Sequence, residues 1–476
     1  MNAHAIAVTG SWLASFALAA AGFTHYHRPA PAGILFEDNG PGPAHAAGAA
    51  DARGTRINIG EHFTRFAEIP EPVPSASWPA FRGPDRDNIV KNAPPLADAW
   101  PPEGPRVVWR RSLGEGYAAP VVHRGLVYIL DYDEDENADS LRCFAFSDGR
   151  ELWRRYYAMP LRRNHGKSRT VAAVTDAAVV AFGPMGHVMA ADPLTGDLLW
   201  TRDLPAEFGS VIPQWYAGQC PLPDGDRVVL APAGPEALLV ALDARTGEER
   251  WRAPNDAGIA MSHASVMKYT LRGREQYVYA GLGGIAFVSA ESGGEGRMLS
   301  VNLDWKAPVN APSPVALDDR SIFLCSPYGY GGGRFVLDGN NVAALARSWK
   351  AIRGVSSEQQ TPVVADGVLF CVLPKDAGAD RQLLVACDVQ TEDLAVRAKS
   401  DRDARFGLGP FLLADGKIYV LDDDGVLTML RYEGNRFDRL GRAKILPGVD
   451  SWGPLAFADG FLLARDSTGM ACVDLR

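Results

Sequence analysis

The sequence predicts an all-β fold, an eight-bladed β-propeller built from four-stranded antiparallel blades. Two observations predict it: a tryptophan that recurs four residues after a glycine, and a short apolar run that recurs with a similar period. Self-similarity at a period of roughly 20 to 50 residues is typical of repeat architectures. A unit of about 46 residues that contains two hairpin turns is typical of a propeller blade.

The repeated tryptophan ends the phrase Gly-x-x-x-Trp at three places in the first half of the chain. Further positions continue the spacing of 44 to 51 residues on both sides. The series consists of Trp109, Trp153, Trp200, Trp251, a position near Met298, Trp349 and a position near Val396. A large ring at the end of an outer strand packs against the adjoining blade. We therefore expect Trp109, Trp153, Trp200, Trp251 and Trp349 to dock neighbouring blades onto each other.

Each unit begins with a short apolar run, which in most units follows a proline. The eight starts lie near Pro120, Val171, Pro221, Ala264, Pro314, Pro362, Pro410 and Pro454. Asp-Gly pairs inside the units, such as Asp366-Gly367, predict hairpins because glycine supplies the positive φ that tight turns need. The Thr-Gly pairs before the tryptophans predict a second hairpin, so each unit has four strands.

The eighth unit is incomplete, because the chain ends at Arg476, where a third strand would end. Residues 106–110 contain Trp109, which matches the repeat tryptophan, and they precede the first unit. A strand borrowed from this segment would close the ring and remove an exposed sheet edge. The sequence therefore predicts a propeller that is closed by an N-terminal strand.

The segment before the propeller has the composition of an export signal followed by a linker. Residues 5–23 carry no charged side chain and contain small-residue cleavage sites, although no basic residue precedes them. Such a segment is either a cleaved signal peptide or an apolar membrane anchor. We therefore expect residues 1–23 to be a signal peptide or membrane anchor, and the Ala-, Pro- and Gly-rich residues 24–77 to be a flexible tether. Residues 78–476 form the propeller, which we expect in the periplasm or another extracytoplasmic location.

Charge and cysteine content narrow the classes of function. The net charge is −9 and the isoelectric point is near 5.6, which argues against nucleic-acid binding because phosphate contacts need a concentrated basic face. The six cysteines lack metal-binding spacing. Cys371 and Cys387 either form a bridge between neighbouring strands or are small buried hydrophobic residues.

An acidic run between residues 131 and 139 resembles the first part of a calcium-binding loop. The resemblance ends at Glu136, which replaces the glycine of such loops, and at Arg142, which replaces their bidentate acid. The run therefore indicates a solvated loop, and we expect no metal site.

The connections between blades are predicted to meet at one mouth of the central channel. A basic run at residues 162–169 belongs to the first of them. The candidate binding residues at this mouth are Arg163, His165, Arg169, Gln214, Trp215, His263, Asn310, Glu358, Gln360 and Trp452. Guanidinium and amide groups suit a small anionic or carbonyl ligand. Alternatively, the same groups bond to neighbouring connections and hold blades together. The sequence assigns no catalytic residue.

One further segment resembles a known group of proteins. The phrase Trp78-Pro-Ala-Phe-Arg-Gly-Pro-Asp-Arg-Asp-Asn88 resembles the opening signature of bacterial propellers with pyrroloquinoline-quinone-like repeats. The Asp-x-x-Thr-Gly-x-x-x-Trp phrases that end at Trp200 and Trp251 are similar to the repeat signature of that superfamily. The superfamily includes quinoprotein alcohol dehydrogenases and BamB-like assembly factors of the outer membrane.

The resemblance implies two possible functions. Dehydrogenases of the superfamily typically stack pyrroloquinoline quinone (PQQ) between a tryptophan and a ring formed by two adjacent cysteines, beside a calcium ion, although the cysteine ring is not universal among them. This chain contains neither adjacent cysteines nor a Cys-x-x-Cys-His haem motif. We therefore expect a non-enzymatic, monomeric, BamB-like binding or scaffold module of the cell envelope that uses no cofactor and binds envelope proteins or a small ligand. The alternative is a PQQ- and calcium-dependent alcohol or sugar dehydrogenase with its cofactor at the channel mouth.

Overall fold

The computed structural model describes residues 57–71, 77–340 and 342–476 of the chain. They form eight sheets of four antiparallel strands each, and two of these sheets gain a fifth strand. Helical structure in the described residues is limited to the helix Leu204–Phe208 and the 3-10 turns Ala351–Arg353 and Gly378–Asp380. The predicted eight-bladed propeller is confirmed. None of the helices in these ranges is long and apolar enough to cross a membrane, and residues 1–23 lie outside the described ranges.

The strands of blades one to seven follow the chain from the inner to the outer edge of each sheet. Blade one has the strands Val121–His123, Leu126–Asp133, Ala138–Ala145 and Glu151–Ala158, and blade two has Ala173–Val174, Val179–Phe182, His187–Ala191 and Leu198–Asp203. Blade three has Leu222–Asp224, Arg227–Leu230, Leu239–Asp243 and Glu249–Ala253, and blade four has Met267–Leu271, Arg274–Gly281, Gly284–Ser289 and Met298–Asn302. Blade five has the strands Val315–Ala316, Ser321–Ser326, Gly331–Leu337 and Ala343–Trp349. Blade six has Val363–Ala365, Val368–Val372, Leu384–Asp388 and Val396–Lys399, and blade seven has Phe411–Ala414, Lys417–Leu421, Val426–Tyr432 and Phe437–Lys444.

Blade eight is completed by the N-terminal part of the chain. Its three C-terminal strands are Ala456–Ala458, Phe461–Arg465 and Gly469–Asp474, and Val107–Ser112 pairs antiparallel with the last of them. The prediction that an N-terminal strand closes the ring is therefore confirmed. Closure leaves blade eight with four strands like the other blades.

Four tryptophans occupy the same position in their outer strands, just beyond a register shift with the preceding strand. Each indole ring packs on a glycine with positive φ in the outer turn of the next blade. The pairs are Trp109 with Gly149, Trp153 with Gly196, Trp200 with Gly247, and Trp251 with Gly296. A Cβ atom on any of these glycines would lie 2.6 to 2.9 Å from the ring, so only glycine allows this packing.

An arginine two residues after three of these tryptophans strengthens the same contact. Arg111, Arg155 and Arg202 each donate a hydrogen bond to the carbonyl oxygen of the glycine beneath the ring. The pattern Trp-x-Arg is visible in the sequence, but the contact between the arginine and the next blade was not predicted from it. After Trp251 the corresponding residue is Ala253, and Trp251 is partly exposed, whereas Trp200 is buried.

Trp349 does not occupy the repeat position. The register of blade five shifts between Arg334 and Phe335, and the residue equivalent to the repeat tryptophan is Arg347. Trp349 lies two residues further along, where its ring stacks on Phe323 of its own blade. Its N–H donates to the carbonyl oxygen of Val355. The positions near Met298 and Val396 are displaced in the same way, because the equivalent residues in blades four and six are Ser300 and Ala398.

Replacement of the docking tryptophans should lower stability in proportion to their burial. We expect Trp200→Ala to lower the free energy of unfolding by about 3–5 kcal/mol, as truncation of a buried aromatic side chain does. Trp251→Ala should cost clearly less, because its ring is partly exposed. Denaturant titration of both variants tests this, and equal losses would contradict the docking arrangement.

Part of the segment assigned to the tether lies on blade one. Residues 57–71, which we call the strap, contain the strand His62–Arg65, which pairs antiparallel with the outer strand Glu151–Ala158. Phe63 packs beside Trp153 there, with ring centroids 6.4 Å apart. The strap therefore gives blade one a fifth strand, which the low-complexity composition of residues 24–77 did not indicate. The rest of the predicted tether, residues 24–56 and 72–76, lies outside the described ranges.

Residues 77–92, which we call the channel segment, include the signature that begins at Trp78. The N–H of Trp78 bonds to Val122 of blade one, and the carbonyl oxygen of Pro79 accepts from Val174 of blade two. Arg82 donates to carbonyl oxygens that precede blade six, and Ile89–Val90 pairs in parallel with the inner strand Phe411–Ala414 of blade seven. Such a short segment can touch inner strands of distant blades only from the centre of the ring. The signature therefore fills the channel.

Candidate binding site at the channel mouth

A cavity of about 410 Å³ lies at the channel mouth, above the channel segment. A volume of this size is typical of small-ligand pockets. Phe81 of the channel segment contributes to its lining. Seven of the ten predicted binding residues line the cavity: His165, Arg169, Trp215, His263, Glu358, Gln360 and Trp452.

The other three predicted residues do not line the cavity. Arg163 is exposed and pairs with Glu115 at 2.8 Å. Gln214 contributes its backbone carbonyl, which accepts a hydrogen bond from Asn164. Asn310 is buried, and its amide links the Trp305 N–H to the carbonyl oxygen of Gly281. These contacts hold the connections between blades, as the alternative reading of the sequence proposed.

Aromatic rings form two opposite parts of the cavity wall. On one side, the centroid of Trp215 lies 6.0 Å from those of His263 and Tyr328. On the other side, Tyr117 and Trp452 lie 4.8 Å apart. Aromatic side chains supply much of the contact energy in binding sites. This wall therefore offers a ligand or partner a largely apolar surface.

Arg169 combines a structural contact with an unbalanced charge. Its Nη2 atom donates to the carbonyl oxygens of residues 164, 165 and 166, which fixes the first connection between blades. Among the described residues, no acid pairs with it. Burial lowers the pKa of Arg169 to about 10, and the group stays charged near neutral pH.

His263 is a neutral group in this cavity. Burial lowers its pKa to about 4, and the positive charge of Arg169 adds to the effect. Its Nδ1 atom is buried without a hydrogen-bond partner in the described chain. A histidine with this pKa carries no charge near pH 7, so it presents a neutral ring to the cavity.

The carboxylates at the mouth are already engaged. Glu358 pairs with Lys375 at 3.0 Å, and Asp423 accepts hydrogen bonds from the Trp452 indole and the Leu408 N–H, both at 2.9 Å. Burial raises the pKa of Asp423. Gln360 donates to the carbonyl oxygen of Trp452 at 2.9 Å. These contacts hold the polar wall in one arrangement.

Several lining residues were missed by the sequence interpretation. Tyr328, Lys375 and Asp423 come from the loops between the second and third strands of blades five, six and seven. These loops reach the same face as the connections between blades, but they differ in length and carry no repeated motif. Phe81 was missed because its segment was recognised as a signature without a position in the fold.

The acidic run 131–139 makes ion pairs with basic side chains of the first blade and connection. Asp131 pairs with Arg142, Asp133 with Arg154, and Glu134 with Lys167. In the described ranges, no group of three His, Cys, Asp or Glu residues is placed to hold a metal ion. All six cysteines are free and buried, so Cys371 and Cys387 are not bridged in this structure.

A buried acid lies beneath the first connection between blades. Asp139 is fully buried and accepts a hydrogen bond from the Tyr157 hydroxyl at 3.0 Å. Its second carboxylate oxygen has no partner within the described residues. Burial raises the pKa of Asp139 to about 7, although the bond from Tyr157 opposes the effect.

This arrangement predicts a pH-dependent stability. Because the folded state favours protonated Asp139, its contribution to stability is fully present below about pH 4, the ordinary pKa of Asp. It is lost as the pH rises through 7. Asp139→Asn should therefore raise the melting temperature at pH 8 more than at pH 5. Asp256→Asn, at an exposed position, serves as the control, and parallel pH profiles for wild type and Asp139→Asn would contradict the assignment.

The chain is similar to propellers of two functional kinds. The family model described as outer membrane protein assembly factor BamB matches residues 88–213 and 138–302. BamB from Moraxella catarrhalis superposes with a TM-score of 0.51 at 14% identity, over 78% of this chain and 99% of that one. A europium-containing methanol dehydrogenase superposes with a TM-score of 0.54 at 11% identity, over 83% of this chain and 90% of that one. The computationally designed Ika8 protein gives 0.51 at 13% identity, over 78% and 99%. No curated protein matches the chain. Identities this low show the fold alone.

Proposed function

From the premise that this chain is a propeller of pyrroloquinoline-quinone-like repeats, we propose that it is an exported, non-enzymatic binding module of the bacterial cell envelope. The channel mouth is its recognition site. One observation carries the proposal: the mouth exposes aromatic and aliphatic surface while its ionic groups are engaged with each other or with the backbone. The extracytoplasmic location rests on the composition of residues 1–23.

Exposed apolar side chains also occur in the connections between blades, which form the rim on the face of the cavity. Tyr328 is 55% exposed, and Val211, Ile352 and Val449 in the connections between blades are 72%, 69% and 62% exposed. Exposed large apolar groups that share one face of a soluble protein mark interaction sites. The rim therefore extends the recognition surface beyond the cavity, which favours a protein partner that inserts a side chain into the cavity.

The engaged charges suit recognition rather than proton transfer. Glu358, Lys375 and Asp423 are held by short contacts, and His263 remains neutral. Preorganised polar groups around an aromatic centre increase the specificity of an interface because they do not need to rearrange on binding. Arg169 adds one positive charge without an acid partner in the described chain, which favours a carboxylate or carbonyl group on the bound segment.

The residues at the mouth do not fit the quinone and calcium of the superfamily's dehydrogenases. Calcium takes six to eight oxygen ligands. Of the acids that line the cavity, Glu358 is paired with Lys375 and Asp423 with Trp452. The described residues contain no cluster of three His, Cys, Asp or Glu side chains that could hold a metal ion. The adjacent-cysteine ring on which the quinone would stack has no counterpart either, because the cysteines lie apart in the sequence. We therefore derive no redox step at this site.

Calorimetric titration with PQQ, with and without calcium, separates the two candidate functions. We expect no saturable heat with either mixture and no dye reduction when alcohols or sugars are added. Stoichiometric quinone in the purified protein, or dye reduction that depends on PQQ, would instead establish the dehydrogenase.

Loss of the exposed ring should weaken partner binding without unfolding the protein. Tyr328→Ala should lower the amount of partner captured from envelope extract by tenfold or more, because truncation of an aromatic hot spot costs about 2 kcal/mol or more. Arg436→Ala, in an exposed turn of blade seven, serves as the matched control. If Tyr328→Ala captures as much partner as the wild type, and neither variant changes the melting temperature, the channel mouth is not the recognition site.

A further inference from the structure

The outer groove between blades one and two shows how an extended segment binds this propeller. Strap residue Phe63 lies opposite Arg155 in the added strand, and its ring packs against Gly196 and Trp153. The Arg155 guanidinium lies 4.8 Å from the Phe63 ring and donates to the carbonyl oxygens of Gly196 and Gly60. Main-chain pairing and one partly buried aromatic ring thus hold the strap in the groove.

The outer groove between blades three and four repeats the tryptophan and the glycine of this construction, with Ala253 in place of Arg155, and has no occupant in the described chain. Trp251 takes the place of Trp153, and Gly296 takes the place of Gly196. The outer strand Glu249–Ala253 pairs with no further strand among the described residues. A cavity of about 420 Å³ lies there, lined by Asp226, Arg227, Arg250, Trp251, Gly293 and Glu295.

In the other two tryptophan grooves the ring is already covered. Arg202 donates to the glycine carbonyl between blades two and three, and Arg111 does so between blades eight and one. Trp200 and Trp109 are both buried. Trp251 has Ala253 instead of an arginine two residues later, and its ring is partly exposed. Of the four tryptophan grooves, the one at Trp251 thus has both a free strand edge and an open ring.

We propose that this groove is a second docking site, which binds an extended segment of a partner protein that carries one aromatic side chain. The segment adds an antiparallel fifth strand to Glu249–Ala253 and places its aromatic ring beside Trp251, as the strap does on blade one. Addition of a strand to an exposed sheet edge is a common mode of peptide recognition, in which main-chain bonds supply affinity and a side-chain pocket supplies specificity.

The charges around the groove define the partner further. Arg250 pairs with Asp243, Arg252 with Glu249, and Arg227 with Glu295. The acids and bases that border the groove therefore balance one another. A segment of low net charge fits this surface better than a strongly acidic or basic one, because it leaves these pairs intact.

The groove between blades five and six supplies an internal comparison. Its cavity of about 310 Å³ lies in the equivalent place, but Arg347 occupies the tryptophan position. Arg320, Arg334, Asp318 and Glu392 complete a charged lining. An aromatic side chain finds no ring to pack on there, so this groove is not part of the proposed site.

Photo-crosslinking with the strap peptide tests the proposal on the full-length protein. The probe is a synthetic peptide of residues 57–71 with benzoylphenylalanine in place of Phe63. We expect adducts on the fragment that contains Trp251. Excess unmodified peptide should suppress them, and excess Phe63→Ala peptide should not. Adducts confined to blade one, where the peptide would displace the strap, or equal competition by both peptides would overturn the proposal.

A variant pair locates the site independently. Trp251→Arg copies the residue found at this position in blade five, and it should reduce the adduct yield at least tenfold. Arg347→Ala, in the comparison groove, should leave the yield unchanged. An unchanged yield in Trp251→Arg would overturn the proposal. If this variant fails to fold, the positions of the adducts on the unaltered protein test the proposal without it.

Discussion

Removal of residues 1–112 is expected to make the protein aggregate. The deletion removes the outer strand Val107–Ser112 and with it the closure of blade eight. The strand Gly469–Asp474 is then left with unpaired N–H and carbonyl groups, which are a template for pairing between molecules. The channel segment is lost as well, and with it the contacts that join blades one, two, six and seven.

Two shorter deletions are the controls for this result. Removal of residues 1–56 leaves every described residue in place and should give a soluble protein with one cooperative transition. Removal of residues 1–77 takes the strap away and uncovers Trp153, so it should melt at a lower temperature but stay soluble. Equal solubility and equal melting temperatures for all three deletions would show that the ring does not depend on N-terminal closure.

Arg465→Met is expected to be the most damaging single substitution. The Arg465 side chain is fully buried where the ring closes, and it donates to the carbonyl oxygens of Gly114, Ala118, Asp466 and Ser467. Methionine fills much of the space but leaves the carbonyl oxygens of Gly114, Ala118 and Asp466 without this donor, whereas that of Ser467 still accepts from the Gly116 N–H. Because each unpaired buried acceptor costs about 1–3 kcal/mol, the free energy of unfolding should fall by at least about 3 kcal/mol.

An exposed arginine provides the matched control. Arg436 pairs with Asp438 on the surface of blade seven, and Arg436→Met should leave stability nearly unchanged, as surface substitutions usually do. Denaturant titration of both variants measures the difference. Similar losses in the two would mean that Arg465 does not clamp the ring.

The fold was predictable because its signals repeat. The apolar starts and the Asp-Gly turns mark the same strand in successive blades, and Trp109 revealed that the closing strand comes from the N-terminal side. Spacing alone did not locate every equivalent position. Because the register shifts in each outer hairpin, the residues equivalent to the repeat tryptophan in blades four, five and six are Ser300, Arg347 and Ala398. Trp349 lies near the expected spacing but does not occupy the repeat position.

The candidate site was predictable in part, for a physical reason. Connections between blades are bound to meet at one face, so residues such as Trp215 and Trp452 were found from topology. Tyr328, Lys375 and Asp423 come from loops whose length and sequence differ between blades, and no periodic pattern marks them. The strap and the channel segment were missed because a short strand pairing with distant residues leaves no local hydrophobic period.

Site-specific photo-crosslinking in cells tests the proposed function most directly. Benzoylphenylalanine is placed either at Tyr328, in the channel mouth, or at Val396, which is similarly exposed on the outer strand of blade six. We predict a discrete adduct with an envelope protein from the mouth position and none from the outer strand. No adduct at Tyr328, or the same adducts from both positions, would contradict the proposal that the channel mouth binds an envelope partner.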